Sequence, residues 1–197
     1  MLFVSLGFKI RPLTTNMDKK STAIVIWLTG LSGSGKSTLA NALNKKLTDN
    51  SLLCKELDGD FLRNGINSDL QFSEEDRFEN IRRAAEIAKL FIETDMIAIC
   101  SFITPSQKMR ALAKNIIGQT NFLQVYVNCS LEECEKRDVK GLYKKARLGT
   151  VANFTGISSN FEPPIDSDIE VNTELLDIET CTSIIYTKII EKLEAQF

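Results

Sequence analysis

The feature that most constrains the fold is a glycine-rich loop between an apolar segment and a helical one. Residues 23–28 read AIVIWL, a continuous apolar run typical of strands buried on both faces. Residues 30–38 follow at once and read GLSGSGKST, which matches the pattern G-x-x-x-x-G-K-[ST]. A strand that leads through such a loop into a helix presents backbone amides and a helix N-terminus to phosphate oxygens. The sequence therefore predicts a nucleoside triphosphate site on an α/β scaffold.

Apolar runs and helical patterns alternate along the rest of the chain. Further strands are predicted at residues 51–57, 96–101, 122–128 and 169–171, and helices at 36–47, 73–94, 105–117, 130–138 and 177–193. This alternation predicts a P-loop kinase fold, with a parallel five-stranded sheet, right-handed crossovers and flanking helices.

One domain, residues 22–197, is expected, and residues 139–164 are predicted to form a lid because they hold few aliphatic side chains. Residues 1–21 are predicted to be a disordered N-terminal extension. A later start at Met17 and a short targeting peptide remain open for that segment.

Composition excludes several kinds of chemistry and of partner. The 197 residues include no histidine, which excludes Ser-His-Asp triads, Cys-His pairs and imidazole zinc sites. Basic residues number 24 and acidic residues 26, a balance that argues against a nucleic-acid partner. No apolar run reaches the ~18 residues of a membrane helix. The five cysteines lack C-x-x-C spacing and lie mostly in apolar stretches, so we expect buried thiols in the reducing cytoplasm.

Two carboxylates follow the second predicted strand, at Asp58 and Asp60. Ligands of an open α/β sheet bind beyond the carboxyl ends of its strands. Carboxylates there can hold Mg²⁺, orient or deprotonate an attacking hydroxyl, or simply cap a turn. In the loop, Lys36 would reach the β- and γ-phosphates and the Ser37 hydroxyl would ligate Mg²⁺. Together these residues indicate a small-molecule kinase.

Other classes of triphosphate-binding protein fit this sequence less well. A GTPase needs an Asn-Lys-x-Asp guanine reader, whereas residues 44–47 read NKKL and lie inside the first predicted helix. A motor or AAA-type ATPase needs a longer chain and an apolar strand that ends in Asp-Glu. A non-catalytic nucleotide-binding module is the alternative from a different class.

Several further motifs, in this order along the chain, resemble the adenylylsulfate (APS) kinase family from about Ile24 onward. The matching stretches are residues 30–38, 57–60 with Arg63, 69–73, 76–83, 101–105, 137–147 and 154–157. Members of that family transfer the γ-phosphoryl group of ATP to the 3′-hydroxyl of APS and so produce PAPS, the activated sulfate donor. The resemblance implies ATP and APS as small-molecule partners, Mg²⁺ as cofactor, and a homodimer. A sister kinase for another nucleotide, such as a cytidine phosphoramidate, is the alternative.

The loop motif and the resemblance together assign site residues. The ATP-binding set is Gly30, Ser32, Gly33, Ser34, Gly35, Lys36, Ser37, Thr38, Arg137 and Arg147. The APS-binding set is Asp58, Asp60, Arg63, Phe72, Arg77, Asn80, Arg83, Ile103, Lys144, Phe154, Gly156 and Ile157. Ser37 and Asp60 are the expected metal ligands, and the catalytic set is Lys36, Asp58, Asp60 and Thr104.

Spacing and residue type suit these roles on the APS side. Arg77, Asn80 and Arg83 are three residues apart on one predicted helix, so they span an arc of about 120° that can face the pocket. Forked guanidinium donors suit the oxyanions of APS. Phe72 and Phe154 are predicted to sandwich its adenine.

Residues 135–147 contain six cations and two acids, a local net charge of +4. We interpret them as part of a lid that closes over two polyanions and excludes water. In that lid Lys144 would meet APS, Arg147 the ATP phosphates, and Arg137 would stack on the ATP adenine.

Thr104 stands where many relatives carry serine, in some of which a phosphorylated intermediate has been described. Direct in-line transfer needs no enzyme nucleophile, so we interpret Thr104 and Ile103 as substrate-loop residues. A phosphothreonine intermediate is the alternative.

Overall fold

The apolar segment before the glycine-rich loop is the central strand of a parallel sheet. The computed structural model describes residues 23–195. Its strands are β1 (Val25–Thr29), β2 (Cys54–Asp58), β3 (Ile97–Ser101), β4 (Phe122–Asn128) and β5 (Ile169–Asn172). They pair in the order β2-β3-β1-β4-β5, and every pairing is parallel. The predicted five-stranded parallel sheet is confirmed.

Helices cover both faces of the sheet. They are α1 (Lys36–Asp49), α2 (Gly59–Arg63), α3 (Glu74–Glu93), α4 (Gln107–Ile117), α5 (Leu131–Arg137), α6 (Leu142–Arg147) and α7 (Ile178–Glu194). α1 packs on α7, and α3 packs on α4. Right-handed crossovers place these two pairs on opposite faces of the sheet. The connection through α1 runs from the central strand β1 to the edge strand β2, whereas the connections through α3 and α4 run in the opposite direction. The main core lies between them, with every residue of β1 buried.

Local chemistry explains where the predicted helices begin. Ser73 caps α3, since its side chain accepts a hydrogen bond from the amide of Asp76. Ser106 caps α4 in the same way, so that helix begins at Gln107 and not at residue 105 as predicted. The short helices α2 and α6 were not predicted, because neither is long enough to show a helical repeat of apolar residues.

A second, smaller cluster joins the lid to the glycine-rich loop. Leu31, Cys134, Tyr143 and Phe154 are among its buried members. The phenol of Tyr143, on α6, donates to the backbone carbonyl of Ser32 at 2.9 Å. The predicted lid is therefore packed against the glycine-rich loop through α6.

Two further expectations concern the chain as a whole. The five cysteines are free thiols, four of them buried and Cys54 half-buried. Within residues 23–195, no helix is both long enough and apolar enough to cross a bilayer. The extension predicted at residues 1–21 lies outside the described residues.

Candidate active site

The glycine-rich loop turns tightly between β1 and α1. Gly33 and Gly35 have φ values of 78° and 97°, in the left-handed region that favours glycine. At Gly30 an added Cβ would lie 2.5 Å from the carbonyl oxygen of Val127 on β4, so a side chain does not fit. The loop therefore leads directly into the N-terminus of α1, where unpaired amides and the helix dipole favour phosphate.

The side chain of Lys36 lies across this loop. Its Nζ donates to the carbonyl of Gly30 at 3.0 Å and to that of Leu31 at 2.6 Å. Burial lowers the pKa of Lys36 to about 8. Because little water solvates the Lys36 ammonium, a phosphate that binds beside it would stabilise it more than it would stabilise an exposed ammonium.

Asp58 joins the ends of β2 and β3 to the start of α1. Its Oδ2 accepts from the hydroxyls of Ser37, in the first turn of α1, and Ser101, at the end of β3, both at 2.9 Å. Its Oδ1 accepts from the amide of Asp60 at 2.9 Å and so caps α2. Burial alone would raise the pKa of Asp58, but these hydrogen bonds outweigh it and the pKa is lowered. Asp58 is thus ionised at neutral pH. Ser101 was not predicted as a site residue, although its position at a strand end was the available signal.

Asp60 faces the lid. Its carboxylate forms an ion pair with Nζ of Lys140, in the turn before α6, and both side chains are more than half exposed. We call residues 58–60 the carboxylate turn, and this ion pair brings the turn into direct contact with the predicted lid at the mouth of the site. Lys140 was not singled out from the other lid cations in the sequence.

A second group of cations lies where the end of α2 meets the start of α3. The guanidinium carbon of Arg63 lies 4.4 Å from the ring centre of Phe72. Arg77 donates to the carbonyl of Phe72 at 3.2 Å, to the hydroxyl of Thr155 at 2.7 Å and to the carbonyl of Asn153. Burial lowers the pKa of Arg63 and of Arg77 from the ordinary guanidinium value. Arg77 thus connects α3 to the segment after α6, a contact that the sequence did not reveal.

One cavity of about 470 Å³ connects the glycine-rich loop to this arginine group. The predicted site residues that line it are Ser32, Gly33, Gly35, Lys36, Ser37, Thr38, Asp58, Asp60, Arg63, Phe72, Arg77, Asn80, Ile103, Thr104 and Phe154. Phe72 is 55% exposed, whereas Phe154 is 8% exposed and packs edge-on against Tyr143. The two phenylalanines therefore differ in their freedom to contact a ligand.

The remaining predicted residues lie outside that lining: Gly30, Ser34, Arg83, Arg137, Lys144, Arg147, Gly156 and Ile157. Gly30 and Ser34 are inside the loop itself, and the side chain of Ser34 is fully buried. Gly156 approaches Leu31, and Ile157 packs on the second cluster. Lys144 is exposed on α6.

Arg83, which is predicted to face the pocket with Arg77 and Asn80, does not line the cavity. Its guanidinium makes two hydrogen bonds to Asp69, at 2.7 and 2.9 Å, and a third to Glu79 at 2.8 Å. Two acids lie within its reach, and paired charge-assisted bonds hold the side chain away from the cavity. Asn80 does line the cavity, where Asn67 donates to its side-chain oxygen at 3.0 Å.

Both of the predicted ATP-binding arginines have protein partners. Arg147 pairs with Glu135 through two bonds of 2.9 Å. Arg137 donates to the carbonyl and hydroxyl of Thr173, at 2.8 and 3.3 Å. The same hydroxyl donates to the carbonyl of Ser34 at 2.8 Å. Thr173, which follows β5, thus connects Arg137 to the glycine-rich loop, and no sequence motif pointed to it.

The sequence and the fold can now be compared with those of known proteins. A family model described as adenylylsulphate kinase matches residues 22–172. An adenylyl-sulfate kinase from Bacteroides thetaiotaomicron is 52% identical over 186 residues, which cover 92% of each chain. Another, from Phocaeicola vulgatus, is 56% identical over 156 residues, 79% of this chain and 76% of that one.

A solved structure gives the same result at the level of the fold. The APS kinase CysC of Mycobacterium tuberculosis, in complex with AMPPNP and APS, has a TM-score of 0.82 and 37% sequence identity. The superposition covers 86% of this chain and 98% of that chain.

Proposed function

The chain belongs to the adenylylsulphate kinase family, and on this premise we propose that it transfers the γ-phosphoryl group of ATP to the 3′-hydroxyl of APS. The products are PAPS and ADP. The observation that carries the proposal is that one and the same cavity has the glycine-rich loop at one end and the group of Arg63, Phe72 and Arg77 at the other. A site of this form holds two anionic nucleotides with a carboxylate turn between them.

On the ATP side, the loop amides and Lys36 hold the β- and γ-phosphates. Mg²⁺, when bound with ATP, neutralises charge that develops on the transferring group. The residues fit that ion, because Ser37 and the carboxylates of Asp58 and Asp60 supply only oxygen donors at the head of the loop. Ser37 and Asp60 would hold it. Asp60 becomes available for this role when Lys140 leaves it.

Asp58 and Asp60 would have different roles near the acceptor hydroxyl. Asp58 already accepts three hydrogen bonds, so it fixes Ser37 and the start of α2. Asp60 is the more exposed carboxylate in the cavity and would position the 3′-hydroxyl or the metal. Phosphoryl transfer has a loose transition state, so positioning and charge stabilisation supply most of the catalysis.

On the APS side, Arg63, Arg77 and Asn80 would bind the phosphosulfate and ribose. The exposed ring of Phe72 is free to stack on the adenine. Phe154 is held in the second cluster against Tyr143, so only a small part of its ring would contact the adenine. Arg83 would act through the ion pairs that it makes with Asp69 and Glu79.

The lid would bring cations onto both nucleotides. Lys140, Lys144, Arg137 and Arg147 all lie in or beside α5 and α6, and water would be excluded when they close on the anions. Phosphate would compete with Glu135 for Arg147 and with Asp60 for Lys140. We further propose a cytoplasmic homodimer, which sedimentation of the purified protein and cell fractionation would test.

The direct test of the activity supplies purified protein with Mg²⁺, ATP and APS, and detects the 3′-phosphorylated product by mass spectrometry. A cytidine 5′-phosphoramidate replaces APS in a parallel reaction. We expect PAPS and ADP in equal amounts. Product from the cytidine compound alone would overturn the proposal, and ATP binding without any product would favour a non-catalytic module.

Arg77→Ala tests the substrate side of the cavity. The change removes charge-assisted hydrogen bonds, so we expect the KM for APS to rise about 10- to 100-fold while the Kd for ATP stays within about twofold. Arg82→Ala is the matched control, because Arg82 lies on the same helix and pairs only with Glu79 and Glu86. An equal loss of affinity for both nucleotides in Arg77→Ala would contradict the assignment.

A further inference from the structure

The segment between β3 and α4, residues 102–106, has a strained conformation in the wall of the cavity. Phe102, Ile103, Thr104 and Pro105 all line the site. Thr104 has a φ of 43°, in the left-handed region that β-branched residues rarely adopt. Such a conformation persists only where surrounding contacts hold it. We call residues 102–106 the acceptor loop.

Three buried side chains on β1 and α4 donate hydrogen bonds to the acceptor loop from the protein interior. The indole Nε1 of Trp27, on β1, donates to the Thr104 hydroxyl at 2.9 Å. The Thr29 hydroxyl, also on β1, donates to the carbonyl of Ile103 at 2.7 Å. Arg110, on α4, donates to the carbonyl of Thr104 at 3.0 Å. The side chains of these three donors are at most 2% exposed, so water does not compete for their bonds.

The bond from Trp27 determines how the Thr104 hydroxyl is used. An indole N–H can only donate, so Thr104 Oγ1 must accept. Thr104 is 1% exposed. Phosphorylation of that oxygen would place a poorly hydrated dianion against the buried indole. The geometry therefore suits a hydroxyl that is held in place and does not suit one that carries a phosphoryl group.

Trp27 also supports the carboxylate turn. Its ring stacks on Phe102 with centroids 5.1 Å apart. The Phe102 ring in turn lies against Gly59, where an added Cβ would be 3.2 Å from the ring. Gly59 separates Asp58 from Asp60. One buried side chain thus contacts the acceptor loop directly and the carboxylate turn through Phe102.

We propose that Trp27 is a positioning residue for the acceptor substrate and that it acts through the Thr104 hydroxyl. This inference rests on the proposed function, since the substrate that the acceptor loop meets is APS. The indole holds Thr104 in its left-handed conformation and so fixes Ile103 and Pro105 in the cavity wall. Thr104 serves as a hydrogen-bond acceptor and takes no phosphoryl group.

The test compares Thr104→Val, Thr104→Ser, Trp27→Phe and the double variant Trp27→Phe/Thr104→Val. Valine keeps the shape of threonine without the acceptor, and phenylalanine keeps a ring without the donor. We expect each of these two changes to lower kcat/KM for APS about tenfold, with the Kd for ATP within about twofold, because small misplacements of a substrate-binding group are costly. The double variant should be no worse than either single one. Thr104→Ser should regain most of the activity.

The chain contains one tryptophan, so its NMR spectrum has a single indole N–H resonance. That resonance should move in Thr104→Val and stay near its wild-type position in Thr104→Ser. Thr182→Val is the matched control, because it also removes a buried threonine hydroxyl, one that lies on α7 and donates to the carbonyl of Ile178 in the same helix. It should leave both the resonance and kcat/KM unchanged.

Three results would overturn the inference. Turnover abolished by Thr104→Val but retained by Trp27→Phe would give the hydroxyl a chemical role of its own. Effects that add in the double variant would show that the two residues do not act as a unit. An indole resonance unmoved by Thr104→Val would show that the bond is absent. A wild-type enzyme inactive on APS, with the resonance still sensitive to Thr104→Val, would instead contradict the proposed function and leave the bond established.

Discussion

At the scale of single residues, Asp58 illustrates how one side chain organises this site. It is the N-cap of α2, and it accepts hydrogen bonds from a hydroxyl in the first turn of α1 and from one at the end of β3. The sequence predicts that Asp58 lies at a strand end, because the carboxylate directly follows a predicted strand. Its partner Ser101 could not be assigned, because which strands are neighbours depends on the strand order.

Lys36 is the residue whose ionisation should report nucleotide binding. Burial lowers its pKa from 10.5 to about 8, so folding disfavours the charged amine. Lys36 therefore opposes folding most at low pH, and this cost disappears as the pH rises from about 8 to 10.5. A bound triphosphate favours the charged form and should raise the pKa again.

We therefore expect ATP binding to take up about half a proton near pH 8 and almost none at about pH 6.5. Calorimetry in two buffers of different ionisation enthalpy measures this uptake. Lys36→Met should abolish it, whereas Lys45→Met, on the same helix but exposed and paired with Asp49, should not. Equal uptake in wild type and Lys36→Met would assign the proton to another group.

At the scale of elements, α3 was predicted well as a helix but only partly as a binding surface. Its cap at Ser73 and its buried residues Ile81 and Ala88 follow from the sequence pattern. The spacing of Arg77, Asn80 and Arg83 predicts that all three face the pocket, whereas Arg77 and Asn80 line the cavity and Arg83 does not. It could not show that Asp69, outside the helix, would bind Arg83. Helical spacing predicts the direction in which a side chain leaves the helix axis. Which residue it meets there depends on the tertiary structure.

The end of β5 is the second element that should affect activity. The Thr173 hydroxyl joins the carbonyl of Ser34 to Arg137. Thr173→Val loses these bonds, each worth about 1 kcal/mol, so we expect the KM for ATP to rise about 3- to 10-fold with the KM for APS unchanged. Steady-state kinetics with each substrate varied in turn measures both constants. Thr173→Ser should restore the wild-type value, and an unchanged KM for ATP in Thr173→Val would refute the connection.

At the scale of the whole molecule, the fold was predictable and the connections across the site were not. Alternating apolar runs and helical patterns led to the five-stranded sheet, and the strand–loop–helix motif fixed where phosphate binds. The contacts from Arg77 to Asn153 and from Asp60 to Lys140 join segments far apart in sequence. No periodicity encodes such contacts, since they arise only when the lid packs on the loop through Tyr143.

The uneven distribution of charge predicts a dependence on salt. The whole chain has a net charge of −2, while residues 135–147 carry six cations and two acids. Because exposed charges are screened beyond about 8 Å at physiological ionic strength, kcat/KM for both nucleotides should fall several-fold between about 50 and 300 mM KCl. Initial rates across this range measure the effect. Lys144→Gln should flatten the dependence for APS, and a rate insensitive to salt would argue against the cationic lid.

The central position of β1 has a consequence for synthesis on the ribosome. β1 is the first of the described strands to be made, yet its partners are β3 and β4, where Val25 pairs with Ala98 and Phe122. A strand that is fully buried in the folded domain therefore has no neighbours until β3 and β4 are translated, and such distant parallel pairing is slow. Gly30 lies against the carbonyl of Val127 on β4. The glycine-rich loop therefore has both of its flanking strands beside it only after β4 has emerged, and ATP binding by a nascent chain would report that the centre of the sheet is complete.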